Sequence, residues 1–180
     1  EYWKPRNPEI KIEFNPLQLR LYSEKSPECI YKQWPISVGR SRHGEFPLVV
    51  ARQYFVELGY TVWASEPELP DDDGYILVSF PGKRRGRHPA YLRMTAFFDL
   101  ETLSRLNGDA DCEKKAHTGN ASGGDPDLFV FRGSEYFFVE VKWRDKITKK
   151  QSVTFPIIEK YCKTSIVMAR IHGQLQSAVV

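Results

Sequence analysis

Apolar positions change their spacing several times along the chain, and those changes mark the elements. From Glu45 onward, Ala51, Tyr54, Phe55 and Leu58 recur at helical spacing. Pro47 suits the first turn of that helix, and Gly59 its end. Tyr60 to Ala64 then reads as a strand, and Tyr75 to Phe80 as another. Residues 89 to 107 read as one or two helices ending at Asn107-Gly108. Residues 108 to 124, with several Gly, Asp, Asn and Ser, read as a loop. Asp127 to Arg132 and Tyr136 to Trp143 are dense in β-branched and aromatic residues and predict two strands, joined at Gly133-Ser134. A helix between Lys149 and Lys163 and a strand from Ser165 to Ile171 complete the pattern. Residues 1 to 42 are irregular, because prolines at 5, 8, 16, 27 and 35 break up any long helix. Their aromatic and apolar residues, Trp3 and Phe14 among them, predict an extension laid on a core.

Composition narrows the classes. A chain of 180 residues suits one domain with an extension and is long enough to bury a core. Charged residues make up 27%, an ordinary globular share, which excludes wholesale disorder. No run approaches the roughly 18 apolar residues of a membrane span, so no membrane role is expected. Cys29, Cys112 and Cys162 lie far apart, with no CxxC pair, which argues against a zinc ribbon and a disulfide scaffold. A reducing, intracellular compartment is expected: the cytoplasm, or the nucleus in a eukaryote. The first residue is Glu1 rather than Met, so the chain is expected to be a fragment or to have lost its flexible ends.

Candidate chemistry sits on the predicted hairpin. With Gly133 and Ser134 as the central turn residues, Arg132 pairs with Glu135 and Asp127 falls opposite Glu140. Opposed residues share a face, with Cβ atoms about 5 Å apart. A slip of one residue would spoil the pairing. Period two puts Phe138, Glu140 and Lys142 on one face, and Val139, Val141 and Trp143 on the other. Two carboxylates and an ammonium thus converge on an otherwise apolar hairpin. Opposed like charges destabilise a sheet unless something neutralises them. A divalent cation does so, and hard oxygen ligands favour Mg²⁺ or Mn²⁺ over zinc. The competing reading is a solvent-facing edge strand, since E-x-K alone is a weak signal.

The string GGDPDLFVF, then FFVEVKW, then a downstream Gln, resembles the PD-(D/E)xK nuclease superfamily, and within it the VRR-NUC group. The residues that carry the likeness are Gly124, Pro126, Asp127, Leu128, Glu140, Val141, Lys142 and Gln151, within about Gly123 to Ile171. The resemblance implies an α/β fold: a restriction-endonuclease-like αβββαβ core with a central mixed sheet flanked by helices. The nuclease domain would span 43–180, with an insertion at about 66–122, and residues 1–42 would be the packed extension. It implies a Mg²⁺- or Mn²⁺-dependent nuclease on DNA, selective for branched or flapped structures in some members, with a symmetric homodimer as one arrangement. By the likeness, Asp127 is the central metal ligand, Glu140 the second carboxylate and the Val141 carbonyl a third ligand. Lys142 orients or activates water and stabilises charge on the phosphate. Glu45, at the start of the first helical pattern, is the candidate for a further acidic residue, with Glu57 behind it. Gln151 would begin the helix beside the site.

Two departures stand out. Pro156 falls inside the helix expected after the EVK strand, so that helix could begin as late as Thr154. Thr148 and Gln151 also have capping-box spacing, so Gln151 has two competing roles, at the helix start and at the site. Basic residues Lys83, Arg84, Arg85 and Arg87, and also Lys149 and Lys150, are candidates for phosphate contacts, against the alternative of a solvated surface. His88 and His117 have no fixed partner in the sequence. Tyr91 could stack on bases, whereas Trp143 shares a face with Val139 and Val141 and is expected in the core. Two other functions stay open: a restriction-type endonuclease reading bases with the insertion, and an inactive nuclease-fold DNA-binding subunit.

Overall fold

A computed structural model of the protein describes residues 3–14, 42–65 and 74–173. Five strands form one mixed sheet: β1 (Ile10–Glu13), β2 (Thr61–Ala64), β3 (Leu128–Arg132), β4 (Glu135–Lys142) and β5 (Ile166–His172), in the order β1-β5-β4-β3-β2. β3 runs antiparallel to its neighbours β2 and β4, and β4, β5 and β1 run parallel. The helices are α1 (Arg42–Glu57), the one-turn α2 (Pro89–Leu92), α3 (Leu100–Thr118) and α4 (Lys149–Cys162). A parallel neighbour cannot be reached by a tight turn, so α4 provides the crossover from β4 to β5.

Each sheet face builds its own core. On one face, Val49, Val50, Ala51 and Phe55 of α1 pack on Leu128, Val130, Val139 and Val141. On the other, Leu103, Leu106 and Ala110 of α3 and Phe155, Ile158 and Cys162 of α4 pack on Phe129, Phe138 and Ile166. Period two along β3 and β4 makes this division, because alternate residues meet different helices. The fold is therefore α/β, with a five-stranded mixed sheet flanked by helices.

The hairpin register is the one the turn predicts. Arg132 pairs with Glu135, and Leu128 with Val139. Gly133 takes a positive φ of 59°, the conformation a tight hairpin turn demands and a Cβ would resist.

Three expectations need correction, and one open alternative is decided. First, the extension is not wholly irregular. Ile10–Glu13 adds strand β1 to β5, and Trp3 meets Phe155 edge-on at 5.0 Å; residues 15–41 lie outside the described ones. Second, Tyr75 to Phe80 is not a ladder strand. Tyr75 to Val78 are fully buried, and their backbone groups find scattered partners: Tyr75 N–H donates to the Ala64 carbonyl at 2.9 Å, and Val78 N–H to Asp125 Oδ1 at 2.6 Å. Third, no helix ends at Asn107-Gly108. α3 runs through both, from its Asp99 N-cap to Gly119, which takes a left-handed cap at φ 70°. Asn107 is buried and donates to the Leu103 carbonyl at 2.7 Å, so it supports the helix it was expected to stop. Residues 74–122 thus supply much of the second core; residues 66–73 lie outside the described ones. The alternative concerns α4, which begins at Lys149, within the expected Lys149 to Lys163, and not as late as Thr154; a Thr148–Gln151 capping box secures it, and its Pro156 sits on the exposed side.

Among the described residues, no helix is long and apolar enough to cross a membrane. Cys112 and Cys162 are free thiols.

The course of α3 generates a test. Gly108 lies inside the helix, and a Cβ there would meet nothing within 4 Å. Gly108→Ala is expected to stabilise the protein by about 0.5–1 kcal/mol, read as a rise in the denaturant midpoint. A loss of stability would mean that this glycine serves a turn.

Candidate active site

Asp127 stands one residue before β3, and Glu140 lies near the end of β4. The hairpin register, continued one pair past Leu128 and Val139, carries them onto the same face. Asp127 Oδ2 accepts from the Val141 N–H at 2.7 Å. Glu140 is fully buried, and its Oε1 takes two donors: Lys142 Nζ at 2.6 Å and Gln151 Nε2 at 2.5 Å. Its other oxygen, Oε2, is buried without a hydrogen-bond partner. An unsatisfied carboxylate oxygen in a protein interior is expensive, and it is the atom a cation would take.

Lys142 is 4% exposed and bridges two acids, Glu140 and, at 2.8 Å, Asp145 Oδ2. Asp145 turns back onto the strand end, its Oδ1 accepting from the Trp143 N–H at 3.3 Å. Three carboxyl groups therefore face one ammonium, and the surplus is negative.

Titration follows from the burial of these groups first and from their charges second. Burial pushes the Asp127 carboxyl up to about 6, against the pull of the Val141 N–H and the Lys142 charge. Burial and then the charge of Asp127 hold Glu140 well above the usual carboxylate range. Burial alone would lower Lys142, but Glu140 and Asp145 outweigh it and raise it. The ammonium thus stays protonated at neutral pH.

Gln151 performs both of the roles that competed in the sequence. Its Oε1 accepts from the Thr148 N–H at 2.9 Å, closing the capping box, while its Nε2 reaches Glu140. The helix start and the site are thus joined by one side chain.

The two carboxylates, with Val141 between Glu140 and Lys142 on β4, suit a hard cation such as Mg²⁺ or Mn²⁺. Among the described residues, no group of three or more His, Cys, Asp or Glu side chains converges as a metal cage. Asp127, Val141 and Lys142 line a cleft of about 340 Å³ with Pro47 and Leu48 of α1 and with Trp143, Arg144 and Asp145. Glu45 lies in the first turn of α1, the end of the helix that reaches this cleft; its side chain lies outside the described residues. Glu57 is at the other end of α1, exposed and bonded to Gln53 at 2.9 Å.

The basic candidates divide. Lys83, Arg84 and Arg87 are exposed on the 3-10 turn Gly82–Arg87. Arg85 is a correction: it is buried, paired with Asp111 at 2.9 Å and turned toward the Val78 carbonyl at 3.4 Å, so it cannot reach a phosphate. Lys149 is exposed and lines a groove between α3 and α4, whereas Lys150 is half-buried and donates to the Ser122 carbonyl at 3.0 Å. Tyr91 is buried against Asn107 at 3.2 Å, so it is a core residue rather than a stacking platform. Trp143 packs in the first core beside Phe14, as its face predicts. His117 pairs with Glu113 along α3.

Sequence reasoning missed Asp145, although its place three residues after Lys142 was a usable signal. It also missed Asp125, which accepts from Val78 N–H and from the Ser79 hydroxyl.

The carboxylate pair makes a pH prediction. A folded-state value near 6, above the ordinary 3.8, means that the folded protein holds this proton more tightly than the unfolded chain. The stability it contributes is full below about pH 4 and is lost as pH rises through 6. Asp127→Asn keeps an acceptor for Val141 and removes the charge. Without metal it is expected to melt several degrees above the wild type at pH 8 and close to it at pH 4, by thermal unfolding in chelator. A variant less stable than the wild type at pH 8 would contradict the cost of burying the Asp127 charge.

No family model matches the chain, and comparison with curated proteins and with solved structures finds no match to either.

Proposed function

We propose that the protein is a Mg²⁺- or Mn²⁺-dependent nuclease that hydrolyses DNA phosphodiester bonds on a PD-(D/E)xK type of core. One observation carries this reading: Glu140 Oε2 is buried without a hydrogen-bond partner, on the face shared with Asp127 and beside the Lys142 ammonium. A buried carboxylate oxygen with no donor is costly, and a cation bound there would satisfy it.

Asp127 and Glu140 would hold the cation, with the Val141 carbonyl beside them. A bound Mg²⁺ or Mn²⁺ supplies a Lewis acid for the phosphoryl oxygen and makes water acidic enough to attack near neutral pH. Lys142 stays an ammonium and shares the negative charge that grows on the phosphate in the transition state. Gln151 fixes the rotamer of Glu140, and Asp145 fixes the reach of Lys142. The cleft between the first turn of α1 and the end of β4 admits the backbone, with exposed Arg144 at its rim. Preference for branched or flapped DNA belongs to this proposal through the sequence likeness alone.

A cleavage panel of flapped, branched, plasmid and single-stranded substrates tests it, with Mg²⁺ or Mn²⁺. The wild type is expected to cut, and Asp127→Ala and Lys142→Ala each to lose at least ~100-fold in rate with the fold retained by circular dichroism. A defined set of plasmid fragments would favour the restriction-type reading. Equal activity in all three proteins would refute the assignment, and an inert wild type would leave a binding subunit as the better account.

A further inference from the structure

The segment that delivers Asp127 to the sheet is held at four of its carbonyls by donors from separate parts of the chain. The Gly123 carbonyl accepts from Lys114 Nζ of α3 at 3.0 Å, and the Gly124 carbonyl from Thr154 Oγ1 of α4 at 2.7 Å. The Pro126 carbonyl accepts from the Tyr75 hydroxyl at 2.5 Å, and the Asp127 carbonyl from Ser65 N–H at 2.8 Å. Lys114 is fully buried and also donates to the Val78 carbonyl at 2.5 Å, with Asp111 at 3.6 Å. Burying an ammonium is costly, and this one serves the backbone carbonyls of Val78 and Gly123. Gly124 sits at φ 101°, and a Cβ there would lie 2.9 Å from Thr154 Oγ1, so helix and loop are in direct contact.

We propose that Lys114 and Thr154 are positioning residues for Asp127: by donating to the carbonyls of Gly123 and Gly124 they hold the loop that aims its carboxylate at Glu140. Neither touches the carboxylate pair, and both act through the backbone that precedes it. The inference rests on the nuclease reading for its effect on turnover, and on geometry alone for its effect on metal affinity.

Thr154→Val keeps the side-chain shape and removes the donor, and Thr154→Ser keeps the donor. Thr154→Val is expected to lower kcat at least ~10-fold with KM nearly unchanged, since small misplacements at a reacting centre are costly. It is also expected to weaken Mn²⁺ binding, measured by calorimetry without DNA, by a similar factor. Thr154→Ser should restore both. Lys114→Met should reproduce Thr154→Val wherever circular dichroism shows it folded. A folded Thr154→Val with wild-type Mn²⁺ affinity and kcat would overturn the proposal, as would a Thr154→Ser as impaired as Thr154→Val. A wild type that binds Mn²⁺ but cuts nothing sinks the nuclease reading alone, and the calorimetry then decides this one. A wild type that binds no Mn²⁺ overturns both.

Discussion

Two carboxyl groups meet across the β3–β4 hairpin in a setting with too little positive charge to balance them. Glu140 lies in the interior, Asp127 faces it, and the single ammonium of Lys142 is divided between Glu140 and Asp145. Apolar residues of the size of Phe129 and Phe138, which occupy the same face one pair along, would pack there at no electrostatic cost. The hairpin instead keeps acids at its open end. The raised protonation of both groups is the direct consequence of that choice.

Much of the surrounding structure serves to hold the pair in place. α4 contributes Gln151 from its first turn and Thr154 from the next, so one helix start touches both the Glu140 side chain and the loop before Asp127. α3 crosses α4 and sends Lys114 to the same loop. α1, on the opposite face of the sheet, brings Pro47 and Leu48 over the cleft. The site thus draws on three helices and a hairpin, an arrangement that fixes side chains on rigid elements rather than on a free loop.

The hairpin was legible because its information is local. Gly133 sets the turn, period two sets the faces, and together they put Asp127 opposite Glu140 without any knowledge of the rest. α4, β5 and the body of α1 were legible for the same reason, although α1 starts at Arg42 and holds Pro47 inside it rather than in its first turn. What failed was decided by burial or by distant partners. Asn107-Gly108 reads as a stop, yet the buried stripe of Leu103, Leu106, Ala110 and Lys114 keeps α3 running past it. Tyr75 to Val78 has the composition of a strand, yet Asp125 and Lys114, far along the chain, satisfy its backbone and remove the need for a ladder. Arg85 looks like its exposed neighbours until Asp111 comes into reach on α3. In the last two cases a side chain more than twenty residues away outweighed a local preference.

The account stands on a cation shared by Asp127 and Glu140. Anomalous scattering from crystals grown with Mn²⁺ tests that directly. A single strong peak about 2.1 Å from Glu140 Oε2 and from an Asp127 oxygen is the predicted result. A peak elsewhere, or Glu140 Oε2 found bonded to a protein donor with no ion beside it, would contradict the account.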